Sequence, residues 1–286
     1  MYTTLITAQQ LLALQAQGDP LLVFDCSADL MNPGLGQQQY REAHVPAALH
    51  ADLDRDLSDK GGAGDAASGG RHPLPAREKF AAWLRSMGLS NDMQVVVYDR
   101  QGANFCGRLW WMLKWCGHEA VAMLDGGLQA WQQAGGAVSQ GIENASAQGR
   151  FTLGPARAVL RSRAEVAQAL VQGSQTLIDA RAAARYRGEI EPLDPIAGHI
   201  PGALNRPFQA NLDGQGRFKP AEQLRQEFES LLAGQDPASV VHQCGSGVSA
   251  IPNLIAMELA GLGRSALYAG SWSDWCRDSS LPVAKG

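Results

Sequence analysis

One cysteine stands where nucleophilic chemistry is most readily supported, in the stretch Ser239-Val240-Val241-His242-Gln243-Cys244-Gly245-Ser246-Gly247-Val248-Ser249-Ala250. A short apolar run delivers the thiol to a glycine-bearing loop, and the residues from there to Leu262 have a helix-like pattern. Cysteine reacts as the thiolate, and N–H groups at a helix start lower its pKa from roughly 8.5 toward neutrality. The pattern therefore predicts a thiolate held by the backbone N–H groups of Gly245 through Ser249. The small residues let backbone approach the sulfur closely. The alternative, an inert buried cysteine behind a strand, fits less well with a place at a strand-to-helix turn.

The elements that must position this loop recur along the chain. Thr7 is a candidate N-cap for a helix ending near Gly18, and Leu21-Leu22-Val23-Phe24-Asp25 is a continuous apolar run of strand length. Lys60 to Gly70 is rich in Gly, Ala and Ser and reads as a flexible surface insertion. Arg77 to Met87 is helix-like, Gln94 to Asp99 a second buried strand, and Gly107 to Cys116 a dense apolar helix whose Trp110, Trp111 and Trp115 are spaced for packing. Strand and helix alternate, which argues for α/β layers around a largely parallel sheet.

Beyond a small and polar stretch from 141 to 157, the pattern repeats. Leu177-Ile178-Asp179-Ala180 answers Phe24-Asp25-Cys26, and Gly198-His199-Ile200-Pro201 answers Ala43-His44-Val45-Pro46. Val240 to Cys244 answers Val95 to Asp99, and Ala269 to Trp275 answers Asp125 to Trp131. Two copies are expected, at 1–140 and 158–286, joined by a linker at 141–157. Asp99 stands where Cys244 stands in the second copy, and a carboxylate cannot do thiol chemistry. Catalysis is expected in the second copy, with the first lending packing area and one wall of a cleft.

Composition narrows the classes of function. The 286 residues fit two domains, and 45% apolar with 18% charged residues is ordinary for a globular chain. A formal charge of −4 without Lys/Arg runs argues against nucleic acid as a partner. No apolar run approaches the roughly 18 residues of a membrane helix, and the first residues lack the basic start of a secretory signal, so a cytoplasmic location and no membrane partner are expected. Cys26, Cys106, Cys116, Cys244 and Cys276 are odd in number and contain no CxxC pair, so neither a disulfide framework nor a metal site is indicated.

These motifs together resemble the two-domain rhodanese-like sulfurtransferases. The resemblance spans nearly the whole chain: His-x-Pro at His44 and His199, Asp125-Gly126-Gly127, Asp179-Ala180-Arg181 and the Cys244 loop. It implies two tandem rhodanese-like α/β domains, each a mostly parallel sheet flanked by helices, with no cofactor. It also implies a Cys244 persulfide that takes sulfur from a small anionic donor and passes it to a thiol, cyanide or thioredoxin-like acceptor. Persulfide and leaving anion both place negative charge over the loop, which N–H groups can stabilise.

Cys244-Gly245-Ser246-Gly247-Val248-Ser249 resembles the 3-mercaptopyruvate type, which lacks the basic residues that follow the cysteine in the thiosulfate type. By the same resemblance Ser246 bonds the donor or relays a proton; a turn serine bonding its own loop is the other reading. Arg185 matches the family arginine that faces the site. The second family arginine, usual about nine residues later, is absent from Glu191-Pro192-Leu193-Asp194-Pro195-Ile196. Losing half of a bidentate clamp should reshape donor binding, and Arg71 is a candidate substitute. His44 is a proton relay or a structural histidine, and the structural role is favoured because His199 recurs in the same motif. His242 is expected to point away from the loop.

Three other readings are weighed. Thiosulfate:cyanide sulfur transfer is one, and a sulfur-carrier or regulatory module that binds partners through the same loop is another. A cysteine-dependent phosphatase needs an arginine six residues after the thiol, where Ala250 stands.

Overall fold

A computed structural model describes residues 1–61 and 65–286. The chain divides into two compact units. The first comprises Met1–Gly61, Pro75–Ala158 and Gly214–Arg217, and the second Gly62–Leu74, Val159–Asp213 and Phe218–Gly286.

In the first unit the order is β1 (Leu5–Ile6), α1 (Ala8–Gln17), β2 (Leu21–Asp25), α2 (Leu35–Glu42), β3 (Leu49–His50), α3 (Arg77–Ser86), β4 (Gln94–Tyr98), α4 (Cys106–Trp115), β5 (Val121–Leu124) and α5 (Gly127–Gln133). The strands lie in the order β1-β5-β4-β2-β3, all parallel. The two continuous apolar runs, β2 and β4, pair at the middle, as expected of strands covered on both faces. Thr7 and Gln10 form a capping box at the start of α1, which ends on Gly18 at φ 72°. Val23, Val96, Tyr98, Leu128 and Trp131 pack in one core, and Trp110, Trp111 and Trp115 are buried.

The second unit repeats this plan with β6 (Val159–Leu160), α6 (Arg163–Gln172), β7 (Thr176–Asp179), α7 (Ala183–Tyr186), β8 (Leu204–Asn205), α8 (Ala221–Leu232), β9 (Val240–Gln243), α9 (Ile251–Leu259), β10 (Ala266–Leu267) and α10 (Ser271–Trp275). Its parallel sheet runs β6-β10-β9-β7-β8, the first unit's order again. The capping box recurs as Ser162 with Glu165. Val166, Leu177, Val241, Tyr268, Trp272 and Trp275 form the core.

The repeat extends to buried polar contacts. His44 Nδ1 lies 2.8 Å from the Tyr40 carbonyl with the rings stacked, and His199 Nδ1 lies 2.8 Å from the Tyr186 carbonyl in the same way. These contacts hold both histidines within their own units, the arrangement a structural histidine requires.

The stretch read as a linker, 141–157, is counted within the first unit, where Phe151 is buried and its N–H bonds the Leu89 carbonyl at 3.0 Å. Of the stretch read as a flexible insertion, Gly62, Ala63 and Gly64 lie outside the described residues. Lys60 and Gly61 are exposed in the first unit, whereas residues 65–70, with Asp65, Ala67 and Gly69 exposed, belong to the second, where Ala67 N–H bonds the Leu74 carbonyl at 2.8 Å and the following Arg71 bonds Ser273 Oγ through its N–H at 2.9 Å. Small residues there permit close backbone approach; a Cβ on Gly70 would lie 2.5 Å from the Gly270 carbonyl oxygen. Among the described residues no helix is long and apolar enough to cross a membrane.

Candidate active site

Cys244 leaves the carboxyl end of β9 and is 2% exposed. The helix after it begins only at Ile251, so the α9 terminus does not directly follow the thiol, contrary to the sequence expectation. The intervening loop is shaped by Gly247, at φ 73°, where a Cβ would meet the Ala269 carbonyl oxygen at 2.3 Å. The carbonyls of Cys244 and Gly245 accept the N–H groups of Trp272 (3.0 Å) and Ser273 (2.8 Å). By contrast, the N–H groups of Gly245, Ser246, Val248 and Ser249 make no hydrogen bond among the described residues. Val248 is buried and its carbonyl accepts the Ile251 N–H, while Ser249 is half-buried. Unbonded buried N–H groups are costly unless an anion takes them, so the loop can receive negative charge.

The packed segment 65–74 brings two further groups to this loop within the second unit. His72 Nδ1 lies 2.7 Å from Ser246 Oγ, and both residues are buried. Ser246 thus has a partner able to exchange its proton, which its turn-serine reading did not anticipate. Sequence reasoning passed over His72. The available signal was Arg71-His72 set directly before the apolar Pro73-Leu74-Pro75, two ionisable side chains at the edge of a buried turn.

Arg71 and Arg185 flank the residue after the thiol. A Cβ placed on Gly245 would lie 3.2 Å from Arg71 Nη2 and 3.5 Å from Arg185 Nη1. Behind them stand two acids from the stretch that lacks the second arginine. Asp194 bonds Arg71 Nη1 at 2.5 Å and approaches Arg185 Nη2 at 3.4 Å, and Glu191 grips Arg185 at 2.7 and 3.2 Å. Burial pushes the Asp194 carboxyl up; Arg71 pulls it down, Glu191 adds to the rise and Arg185 opposes it. Arg181 completes the group, paired with Asp179 at 2.7 Å and set over the Trp272 ring at 4.8 Å. Burial works to lower its pKa, but the charges of Asp179, Glu191 and Cys244 raise it on balance.

The family described as "Rhodanese-like domain" matches residues 7–134 and again 162–278. The chain belongs to the rhodanese-like family. A Pseudomonas aeruginosa protein named "Probable 3-mercaptopyruvate sulfurtransferase" is 47% identical over 283 residues, covering 99% of this chain and 98% of that one. An Arabidopsis thaliana protein, thiosulfate/3-mercaptopyruvate sulfurtransferase 2, is 35% identical over 86% of this chain and 76% of its own. The crystal structure of SseA, a 3-mercaptopyruvate sulfotransferase from Escherichia coli, superposes with a TM-score of 0.79 at 30% identity, over 95% of this chain and 100% of that one.

The two rhodanese-like units treat the cradle position oppositely. In the first, the buried Asp99 carboxylate itself accepts the N–H groups of Gln101 (2.9 Å), Ala103 (3.0 Å), Phe105 (2.8 Å) and Cys106 (2.9 Å). Burial raises its pKa, and those four bonds resist the rise. That loop carries its own anion, whereas the Cys244 loop leaves N–H groups open.

Ser271 supports the thiol loop from below the sequence signal. It has φ 55° without being glycine, and Gly127 takes φ 59° at the matching place in the first unit. Its hydroxyl accepts the Cys244 N–H at 3.1 Å and donates to the Tyr268 carbonyl at 2.9 Å. Left-handed backbone at a non-glycine residue costs about 1 kcal/mol or more and persists where surrounding contacts hold it. Ser271→Ala keeps the strain and loses both bonds, so it should destabilise the protein by about 1–3 kcal/mol. Ser271→Gly removes the strain as well and should be milder in urea unfolding; a glycine variant no more stable than the alanine variant would remove the strain from this account.

His242 does face away from the thiol loop, with Nε2 3.1 Å from Met257 Sδ and the ring fully buried. Burial, aided by the charge of Arg206, pushes its pKa down to about 3. Because the unfolded chain binds a proton at about 6.5, stability should be full above that pH and fall as pH drops toward 3, by up to about 1.4 kcal/mol per pH unit. His242→Met should flatten that part of the stability–pH curve; an unchanged slope would exclude His242 as its source.

Proposed function

We propose that this protein is a sulfurtransferase that carries sulfane sulfur as a Cys244 persulfide, with 3-mercaptopyruvate the favoured donor. The carrying observation is the buried thiol beside four open loop N–H groups, with two arginine nitrogens over the next residue. Catalysis is assigned to the second unit, because the first fills its own cradle with Asp99.

The Cys244 thiolate attacks the donor's sulfur. A sulfur–sulfur bond forms, the carbon–sulfur bond breaks, and its electron pair leaves as the enolate of pyruvate. The persulfide loses the proton that came with the donor thiol, and the enolate carbon gains one, giving pyruvate. Ser246 with His72 is the pair placed to relay that proton. The open N–H groups of Gly245, Ser246, Val248 and Ser249 hold the negative charge that builds over the loop, and Gly247 gives the turn that presents them. Arg185 and Arg71 seat the donor's carboxylate. A thiol, cyanide or thioredoxin-like acceptor then takes the outer sulfur and restores the thiolate. A cytoplasmic location, expected from the sequence, is part of the same proposal.

Thiosulfate as donor is the second reading, because two guanidinium groups also suit a sulfonate and the Arabidopsis relative's name pairs both donors. Incubation of the protein with either donor, read by intact mass, should add one sulfur atom that cyanide removes as thiocyanate. No mass gain with either donor would transfer the reading to a binding or regulatory module.

A further inference from the structure

Resting on the sulfurtransferase reading, we infer that Asp194, wedged between Arg71 and Arg185, sets the donor's charge, selecting a singly charged carboxylate over a dianion. The family resemblance leads one to expect an arginine about nine residues after Arg185, and Asp194 stands there. Its carboxylate bonds Arg71 at 2.5 Å and lies 3.4 Å from Arg185, with only 2% of its side chain exposed. Among the described residues around the thiol loop, three guanidinium groups, on Arg71, Arg181 and Arg185, are matched by three carboxylates, on Asp179, Glu191 and Asp194.

A guanidinium offers five N–H donors in a fixed fork, so pairing with an acid on one side leaves donors on the other. Arg71 Nη2 and Arg185 Nη1, the nitrogens nearest Gly245, make no hydrogen bond among the described residues. They offer a carboxylate one N–H partner for each oxygen. With the arginine charges already balanced, the donor is held by these N–H groups, and each negative charge it carries is repelled by the buried Asp194 charge a few ångströms behind the arginines, a cost that a dianion meets twice. Asp194 is thus a positioning residue that aims both forks and, by its charge, disfavours the wrong donor.

The test compares kcat/KM for thiosulfate and 3-mercaptopyruvate in the wild type, Asp194→Asn and Asp194→Glu. The isosteric Asp194→Asn should raise the thiosulfate to 3-mercaptopyruvate ratio by about tenfold or more, the scale of removing one nearby charge from a partly buried site. Asp194→Glu, which restores the charge, should return the ratio toward the wild-type value. An unchanged ratio in Asp194→Asn, or an equal loss with both donors, would overturn the inference and leave Asp194 a brace. A measurement on the wild type alone covers failure of the variants to fold. Pyruvate, a monoanion, should protect Cys244 from alkylation by the neutral reagent iodoacetamide at lower concentration than sulfate does, and sulfate protecting equally well or better overturns the inference. That protection needs no sulfur transfer, so it separates failure of the charge rule from failure of the sulfurtransferase reading, which is marked by absent sulfur loading.

Discussion

Cys244→Ala will leave a folded protein that takes no sulfur from 3-mercaptopyruvate or thiosulfate. The substitution removes a single buried sulfur from a loop held by backbone bonds to Ser271, Trp272 and Ser273, which alanine retains. Its cost in stability should stay near or below about 1–2 kcal/mol, the range for small truncations in a packed site. Chemistry has no substitute thiol. Burial raises the pKa of Cys26, Cys106, Cys116 and Cys276, that of Cys116 to about 11, and nearby carboxylates such as Asp99 beside Cys106 and Asp194 near Cys276 push the same way. None of the four is a ready thiolate near neutral pH. Intact mass after donor incubation and a urea unfolding curve check the two halves of the prediction. Sulfur found on the folded variant would show that another thiol is the carrier.

Asp99→Ala, at the matching position of the first unit, should have the reverse outcome. It removes a fully buried carboxylate that serves four backbone N–H groups, and alanine leaves those donors unpaired around a cavity. Breaking a buried charge-assisted network of this size costs about 3–5 kcal/mol. Asp99→Asn keeps one acceptor oxygen and should fall between the wild type and alanine. Calorimetry or chemical unfolding reads the loss. A variant as stable as the wild type would show that the first loop does not depend on its internal anion.

The pair of predictions shows how far a duplicated sequence can be read. The α/β alternation was legible because each strand and helix carries its own signal. Leu21–Asp25 and Gln94–Tyr98 are apolar runs of strand length that became central strands, and Thr7 with Gly18 bounds α1. Matched spacing about Asp25 and Asp179, and about His44 and His199, reflects two copies built on one sheet order. The helix expected directly after Cys244 was misplaced because Ser249-Ala250-Ile251 continues helically, whereas Gly247 at positive φ folds the preceding residues into a loop under Ala269. The surface position of 60–70 was legible in its composition, but small polar residues signal mobility only when nothing packs against them, and at Gly70 the Gly270 carbonyl does.

The sequence by itself determined the family and the duplicated architecture and singled out the proposed nucleophile, because those reside in local periodicity and in a short motif whose residues act together. It also supplied Arg185 and the absence of its expected second arginine. Tertiary structure decided what surrounds Cys244: His72 on Ser246, Asp194 between Arg71 and Arg185, Ser271 beneath the thiol's N–H, and N–H groups left open by a loop rather than by a helix end. His72 and Ser246 lie 174 residues apart in the chain, and Arg71 and Asp194 lie 123 apart. Charge balance and hydrogen bonding fall off within a few ångströms, so only the fold that closes those separations could assign them.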